Sequence, residues 1–82
     1  MQFYELIPQH DRQKSFYGKA IVCYDNGEAT LYSYNTPICK ITEYGVFVKL
    51  WHGWSATTQR HINEFLIQHD LPKVNKKIWL DL

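Results

Sequence analysis

The chain has 82 residues, a net charge of +1 and an aromatic content of 16%. This length predicts a single domain over residues 1–82 with a small core. The near-neutral charge argues against strong nonspecific binding to nucleic acid, which needs many phosphate-neutralising side chains. No segment approaches the roughly 20 apolar residues of a membrane span, and the N-terminus lacks the features of a signal peptide. We therefore expect a cytoplasmic protein whose cysteines, Cys23 and Cys39, stay reduced.

The first two thirds of the chain consist of short β-prone segments separated by turn residues. Residues 1–15 hold one such segment, ended by Pro8, and then a polar loop. The dipeptide Asn26-Gly27 predicts a two-residue hairpin, because both central positions of that turn need a positive φ. Residues 16–52 therefore indicate an antiparallel meander, with four strands predicted at residues 17–24, 29–34, 38–42 and 46–51.

From residue 55 the hydrophobic period changes to that of an amphipathic helix. Ile62, Phe65 and Leu66 share one face of a helix predicted over residues 55–70. Either Ser55 or Thr57 can cap its start, because a hydroxyl oxygen accepts a hydrogen bond from a free backbone N–H. Residues 73–82 are interpreted as a C-terminal edge segment of the sheet. The predicted fold class is α+β, a small antiparallel meander of about four strands with one helix packed on one face; whether the terminal segments add further edge strands is left open.

Strict alternation along the strands predicts which residues share a face of the sheet. One set is mainly aliphatic and is expected to contact the helix; it comprises Ile21, Cys23, Leu31, Ser33, Ile41, Val46, Val48 and Leu50. The other set is rich in aromatic rings and includes two lysines; it comprises Val22, Tyr24, Tyr32, Tyr34, Lys40, Phe47, Lys49 and Trp51. This aromatic face is either covered by the terminal segments or open to solvent.

Two classes of function, catalysis and nucleic-acid binding, find limited support in the residues. The sequence contains no recognised nucleophile or metal motif, so no cofactor or metal is expected, and a His-dependent hydrolase or nuclease is the least favoured interpretation. A single-stranded nucleic-acid binder is an alternative, because aromatic rings and lysines on one sheet face form a stacking surface. Its residues would be Tyr32, Tyr34, Phe47, Lys40 and Lys49.

The class favoured most is a protein-binding module without catalysis. Trp51, His52 and Trp54 lie at the corner between the last long strand and the helix, and Arg60 lies one turn into that helix. Exposed Trp and Arg side chains are common anchors of protein interfaces. The hypothesis is that Trp54→Ala or Arg60→Ala abolishes partner capture without unfolding the domain. His61 is interpreted as a boundary histidine bonded to a threonine or glutamate, with an anion site at the helix start as the alternative.

Two motifs carry a resemblance to a known family. The chain has a Tyr-Ser-Tyr-x-Thr-Pro motif over residues 32–37 and a Ser-Ala-Thr-Thr-x-x-His-Ile-x-x-Phe motif over residues 55–65. With these motifs it resembles an uncharacterised family of short proteins encoded by phages, plasmids and other mobile elements. The resemblance implies an accessory protein that binds and inhibits a host macromolecule, for example a defence protein such as a CRISPR nuclease. A host protein is the expected partner, with nucleic acid as the alternative.

Overall fold

A computed structural model describes all residues from 1 to 82, and it places a five-stranded antiparallel sheet before two helices. The strands follow the chain order across the sheet, so every strand pairs with the next one. This arrangement confirms the predicted α+β meander, and the β-prone segment of residues 1–15 forms its N-terminal edge strand. The strands are β1 (Gln2–Glu5), β2 (Ala20–Asp25), β3 (Glu28–Ser33), β4 (Thr36–Ile41) and β5 (Phe47–Lys49), and the helices are α1 (Ala56–Gln68) and α2 (Lys76–Asp81).

The hairpin between β2 and β3 closes on the predicted dipeptide. Asn26 and Gly27 have φ values of 52° and 82°, and the flanking residues Asp25 and Glu28 pair directly. This register places Val22 opposite Leu31, and both side chains are buried beneath α1. The predicted face of β2 was therefore wrong by one residue, because Ile21 and Cys23 lie on the side away from the helices.

The hairpin between β3 and β4 differs from the prediction. Its two-residue turn is formed by Tyr34 and Asn35, both with positive φ, so β4 begins two residues earlier than expected, at Thr36. The register shifts beside Leu31 because Ile38 is an extra residue in a β-bulge. Ile38 and its neighbour Cys39 are consequently both buried, which strict alternation does not allow.

The pairing with β4 decides which way β5 faces. Cys39 pairs with Lys49 and Ile41 pairs with Phe47, so Phe47 and Lys49 lie on the helix side of the sheet. Their assignment to the opposite, aromatic face was wrong. Val48, which was assigned to the helix side, instead lies on the other side.

Helix α1 begins and packs as its sequence predicts. Ser55 is the N-cap residue, and its hydroxyl accepts a hydrogen bond from the Thr58 backbone N–H at 3.1 Å. Thr57, the alternative cap, is exposed. Ile62, Phe65 and Leu66 are buried against the sheet. They form one core with residues of the sheet and of the flanking segments, namely Leu6, Phe16, Ala20, Val22, Ala29, Leu31, Ile38, Cys39, Ile41 and Trp79.

The C-terminal segment forms a helix and does not form the predicted edge strand. Asn75 caps α2 by accepting a hydrogen bond from the Ile78 N–H at 2.8 Å. The helix points Trp79 into the core, where its indole N–H donates to the Gly53 carbonyl at 2.9 Å. The prediction of a strand was wrong because residues 76–81 do not bury alternate side chains. They are anchored by one buried indole, that of Trp79.

The corner before α1 requires glycine for a steric reason. The indole of Trp51 lies directly over Gly53, and a Cβ at Gly53 would be 2.7 Å from the Trp51 Cζ2 atom. We expect Gly53→Ala to lower the free energy of unfolding by about 1–3 kcal/mol, because the indole has to move out of its packed position. Denaturant titration measures this change, with His52→Ala at the exposed neighbouring position as the control. A Gly53→Ala variant as stable as the parent would contradict the prediction.

Candidate binding surface

The tryptophan-rich corner is occupied mainly by contacts within the chain. Trp54 is half-buried, and its indole N–H donates to the Gln59 side-chain oxygen at 2.7 Å. The Lys76 ammonium lies 4.6 Å from the centre of the Trp54 ring, in a cation–π arrangement. Trp54 therefore links the start of α1 to α2, and Trp51 is half-buried against the core.

Arg60 is also engaged within the molecule. Its guanidinium donates two hydrogen bonds to the Asp11 carboxylate, with 3.1 Å between Arg60 Nε and Asp11 Oδ2. These hydrogen bonds hold the pKa of Asp11 below its usual range. Of the four residues proposed for this corner, His52 alone is exposed. The Arg60 side chain is 40% exposed, and the loop between β1 and β2 folds across α1 and places Asp11 beside it.

A buried polar cluster joins β3 to α1. The Ser33 hydroxyl forms hydrogen bonds with the Thr58 hydroxyl at 3.0 Å and with His61 Nδ1 at 2.9 Å. His61 is 1% exposed, and its ring lies against Phe16 and Tyr34. Burial is the main cause that lowers the pKa of His61 to about 4, so the ring is neutral at neutral pH. The predicted boundary position was wrong: His61 belongs to the core, and its partner is Ser33.

This cluster joins the two sequence motifs in space. Ser33 comes from the first motif, while Thr58 and His61 come from the second, and the fold brings them within hydrogen-bond distance. A general base must reach the proton of a substrate, whereas Ser33 and His61 are both enclosed by the core. The arrangement therefore supports a structural role for both motifs in holding α1 on the sheet.

A second buried polar group was missed in the sequence. Glu64 is buried on α1, where its carboxylate accepts hydrogen bonds from the His10 backbone N–H at 2.8 Å and from Gln68 Nε2 at 2.7 Å. Burial raises the pKa of Glu64, but the hydrogen bonds from His10 and Gln68 outweigh it, so the net shift is downward. In the sequence, Glu64 directly precedes the core residue Phe65. This position beside the apolar stripe of α1 was the signal that could have predicted its burial.

One face of the sheet has no helix packed on it. The side chains that alternate with the buried ones lie on this side, and we call them the open face. Phe3 on β1 is 62% exposed, while Ile21, Tyr32 and Val48 are half-buried. The terminal segments do not cover it, because β1 extends the sheet sideways and α2 packs on the other side. The open face comprises Phe3, Glu5, Ile21, Cys23, Thr30, Tyr32, Pro37, Lys40 and Val48, with Asp25 and Glu28 at its hairpin end.

Carboxylates flank the open face at the hairpin end. A shallow concavity of about 370 Å³ there is lined by Asp25, Glu28 and Glu43, beside Cys23 and Tyr32. The one lysine of the open face, Lys40, is paired with Glu28 at 3.3 Å. The electrostatic field at this end of the sheet is therefore set by acidic groups, which repel phosphates.

The residues proposed for a nucleic-acid face are not brought together. Tyr32 and Lys40 lie on the open face, but Phe47 and Lys49 lie on the helix side. The Lys49 ammonium donates to the Trp79 carbonyl at 2.8 Å, and the Phe47 ring contacts the Trp79 ring. Tyr34 is in the turn after β3, beside His61. A continuous stacking surface with free lysines is therefore not assembled.

Neither helix has the length and apolar character needed to cross a membrane. No group of three or more His, Cys, Asp or Glu side chains is arranged to hold a metal ion.

The geometry defines the class of protein as a small two-layer α+β domain with one uncovered sheet face. The chain belongs to a family of unknown function (DUF8033), whose model matches residues 4–81. Searches of curated proteins and of solved structures found no match.

Proposed function

We propose that this protein is a non-enzymatic binding module that captures a host protein on its open face. The observation that carries the proposal is the group of apolar side chains left accessible on this uncovered side of the sheet. The solvated face of an antiparallel sheet normally carries polar side chains, whereas here Phe3, Ile21 and Val48 are accessible to solvent. The fold does not need these side chains for its core, and an exposed apolar surface is typical of interaction sites.

The charges around the open face favour a protein over a nucleic acid as the partner. Asp25 and Glu43 have no cation bonded to them, and Glu28 neutralises Lys40. A nucleic-acid phosphate would meet these carboxylates without compensation, while lysine or arginine side chains of a protein would be attracted to them. The partner surface should therefore combine apolar side chains with basic groups.

The biological setting of the proposal rests on the resemblance to proteins of phages and mobile elements. Small accessory proteins of such elements act inside the host cell by binding host factors. The protein would then work in the bacterial cytoplasm as an inhibitor of a host protein, and a defence protein such as a CRISPR nuclease is one candidate. The absence of a substrate-accessible Ser–His pair supports a role in binding over a role in catalysis.

Capture from a bacterial lysate tests the proposal with one matched pair of variants. Val48→Lys places a positive charge on the open face, so we expect it to lose a partner that the parent retains. Leu80→Lys makes the same change at a 46% exposed position on α2 and should capture as the parent does. Nuclease treatment of the lysate should leave capture unchanged, and quantitative mass spectrometry measures the recovered protein.

Two outcomes would contradict this proposal. The first is capture that survives Val48→Lys but is lost in Leu80→Lys, which would place the interface on the helix side. The second is salt-dependent binding of a single-stranded oligonucleotide in fluorescence anisotropy, which would favour the nucleic-acid alternative.

A further inference from the structure

The sheet has two edges, and β1 is the one without protection. Natural edge strands are commonly shielded by proline, lysine or a bulge. The opposite edge strand, β5, has three residues and carries Lys49. Strand β1 has the sequence QFYE, pairs with β2 in an unbroken register, and is exposed at all four residues. Its backbone therefore presents a regular edge to solvent.

The pairing with β2 determines which backbone groups of β1 are free. The Leu6 N–H donates to the Ala20 carbonyl at 2.9 Å, and Tyr4 pairs with Val22 two residues earlier. Antiparallel ladders alternate, so these even-numbered residues direct their N–H and C=O groups toward β2. Phe3 and Glu5 consequently direct theirs away from the sheet. These solvated donors and acceptors form a template on which another extended backbone can pair.

We propose that a second copy of this chain binds at the β1 edge, antiparallel and with a two-fold axis beside Tyr4, to form one ten-stranded sheet. In this register Phe3 of each copy exchanges both backbone hydrogen bonds with Glu5 of the other, giving four in total. Tyr4 lies opposite Tyr4 of the second copy. The axis is perpendicular to the sheet, so both open faces lie on the same side and both helix layers on the other.

Charge and composition favour this occupant. Glu5 is the only charged residue of β1, and the proposed register places it opposite Phe3 rather than opposite its own copy. The net charge of +1 does not oppose the approach of two identical chains. Exposed apolar side chains border the edge, since Met1 and Phe3 lie on one side and Tyr4, stacked on Tyr24, lies on the other. Pairing would cover them.

The interface is small, so the dimer should dissociate on dilution. A strand pair of four residues per copy covers less than the about 1,600 Å² of a standard interface. Sedimentation velocity of the full chain over a hundredfold concentration range should show a monomer–dimer equilibrium. A chain that stays monomeric at the highest soluble concentration would overturn the proposal.

Two substitutions of Glu5 distinguish the contribution of its backbone N–H to dimerisation from that of its side chain. Glu5→Pro removes the outward N–H and leaves the inward ladder intact, so it should abolish the dimer. Glu5→Ala removes the same carboxylate and keeps the N–H, so it should retain the dimer. Both variants lose the hydrogen bond that Glu5 accepts from the Gly18 N–H, and circular dichroism confirms their folding. Equal dimerisation of the two variants would contradict pairing through the β1 backbone.

Oxidative cross-linking tests the register. Directly opposed residues that do not exchange hydrogen bonds have Cα atoms about 4.5 Å apart, within the range that a disulfide spans. Tyr4→Cys should therefore give a disulfide-linked dimer, while Glu5→Cys should not. The native Cys23 and Cys39 are buried, and the parent chain provides the control. Cross-linking through Glu5→Cys and not through Tyr4→Cys would overturn the proposed register.

Discussion

Replacing Trp79 with alanine is expected to lower the free energy of unfolding by about 3–5 kcal/mol. Trp79 is completely buried, and its ring contacts Phe47 and lies 5.0 Å from the Lys49 ammonium. Removing the indole leaves a cavity between the sheet and α2. It also leaves the Gly53 carbonyl without the donor that now bonds to it at 2.9 Å. Urea denaturation followed by circular dichroism measures the loss.

Two further variants separate the causes of this effect. Trp79→Phe keeps most of the apolar contact but removes the indole N–H. It should therefore lower the free energy of unfolding by about 1–3 kcal/mol, which is less than the alanine variant loses. Ile78→Ala on the same helix, at a 46% exposed position, should change stability only slightly. A Trp79→Ala variant as stable as Ile78→Ala would show that α2 does not complete the core.

Acidification from neutral pH should destabilise the fold, because His61 is buried in its neutral form. Its pKa is lowered to about 4 in the folded chain, from the value of 6.5 expected for an unperturbed histidine. Between these two pH values the unfolded chain binds a proton that the folded chain does not bind. The free energy of unfolding therefore falls as the pH is lowered from about 6.5 to 4, by about 2–3 kcal/mol.

The His61→Gln variant is the control for this pH dependence. Glutamine does not titrate, so the variant should be less stable at neutral pH but show little further loss down to about pH 5. Asp11 and Glu64, whose pKa values are lowered in the fold, contribute stability that is lost at lower pH, as they are protonated. Denaturation curves at several pH values separate the two ranges. A parent whose stability is flat between pH 6.5 and 4 would contradict the buried neutral state of His61.

Local chemistry was sufficient to predict the hairpin and the main helix. Asn26-Gly27 supplies the positive φ values of its turn without help from the rest of the chain. Ser55 caps α1 through a backbone N–H three residues away, and the spacing of Ile62, Phe65 and Leu66 places them on one face. Each of these signals acts within a few residues, so it can be recognised in the sequence without knowledge of the tertiary structure.

The face of β2 was also determined by the sequence, although alternation alone gave it wrongly. A two-residue turn at Asn26-Gly27 makes Asp25 pair with Glu28, and counting back from that pair places Val22 opposite Leu31. The face of β5 could not be found in this way. It depends on the register across the turn after β4. Ile41 was assigned to the helix side correctly, but it pairs with Phe47 rather than with Val46, so every side chain of β5 lies on the other face.

The candidate site depended on contacts between distant residues. Tryptophan, arginine and histidine side chains suit either an exposed interface or a satisfied interior contact, and their sequence positions do not distinguish the two. Asp11, 49 residues before Arg60, neutralises that guanidinium, and Ser33, 28 residues before His61, bonds its ring. Only the tertiary structure brings such pairs together, since the free energy that selects them comes from packing the loop, the sheet and α1 at the same time. The sequence therefore determined the first hairpin and the main helix, while tertiary packing decided the form of the C-terminal segment and which faces remain free to bind.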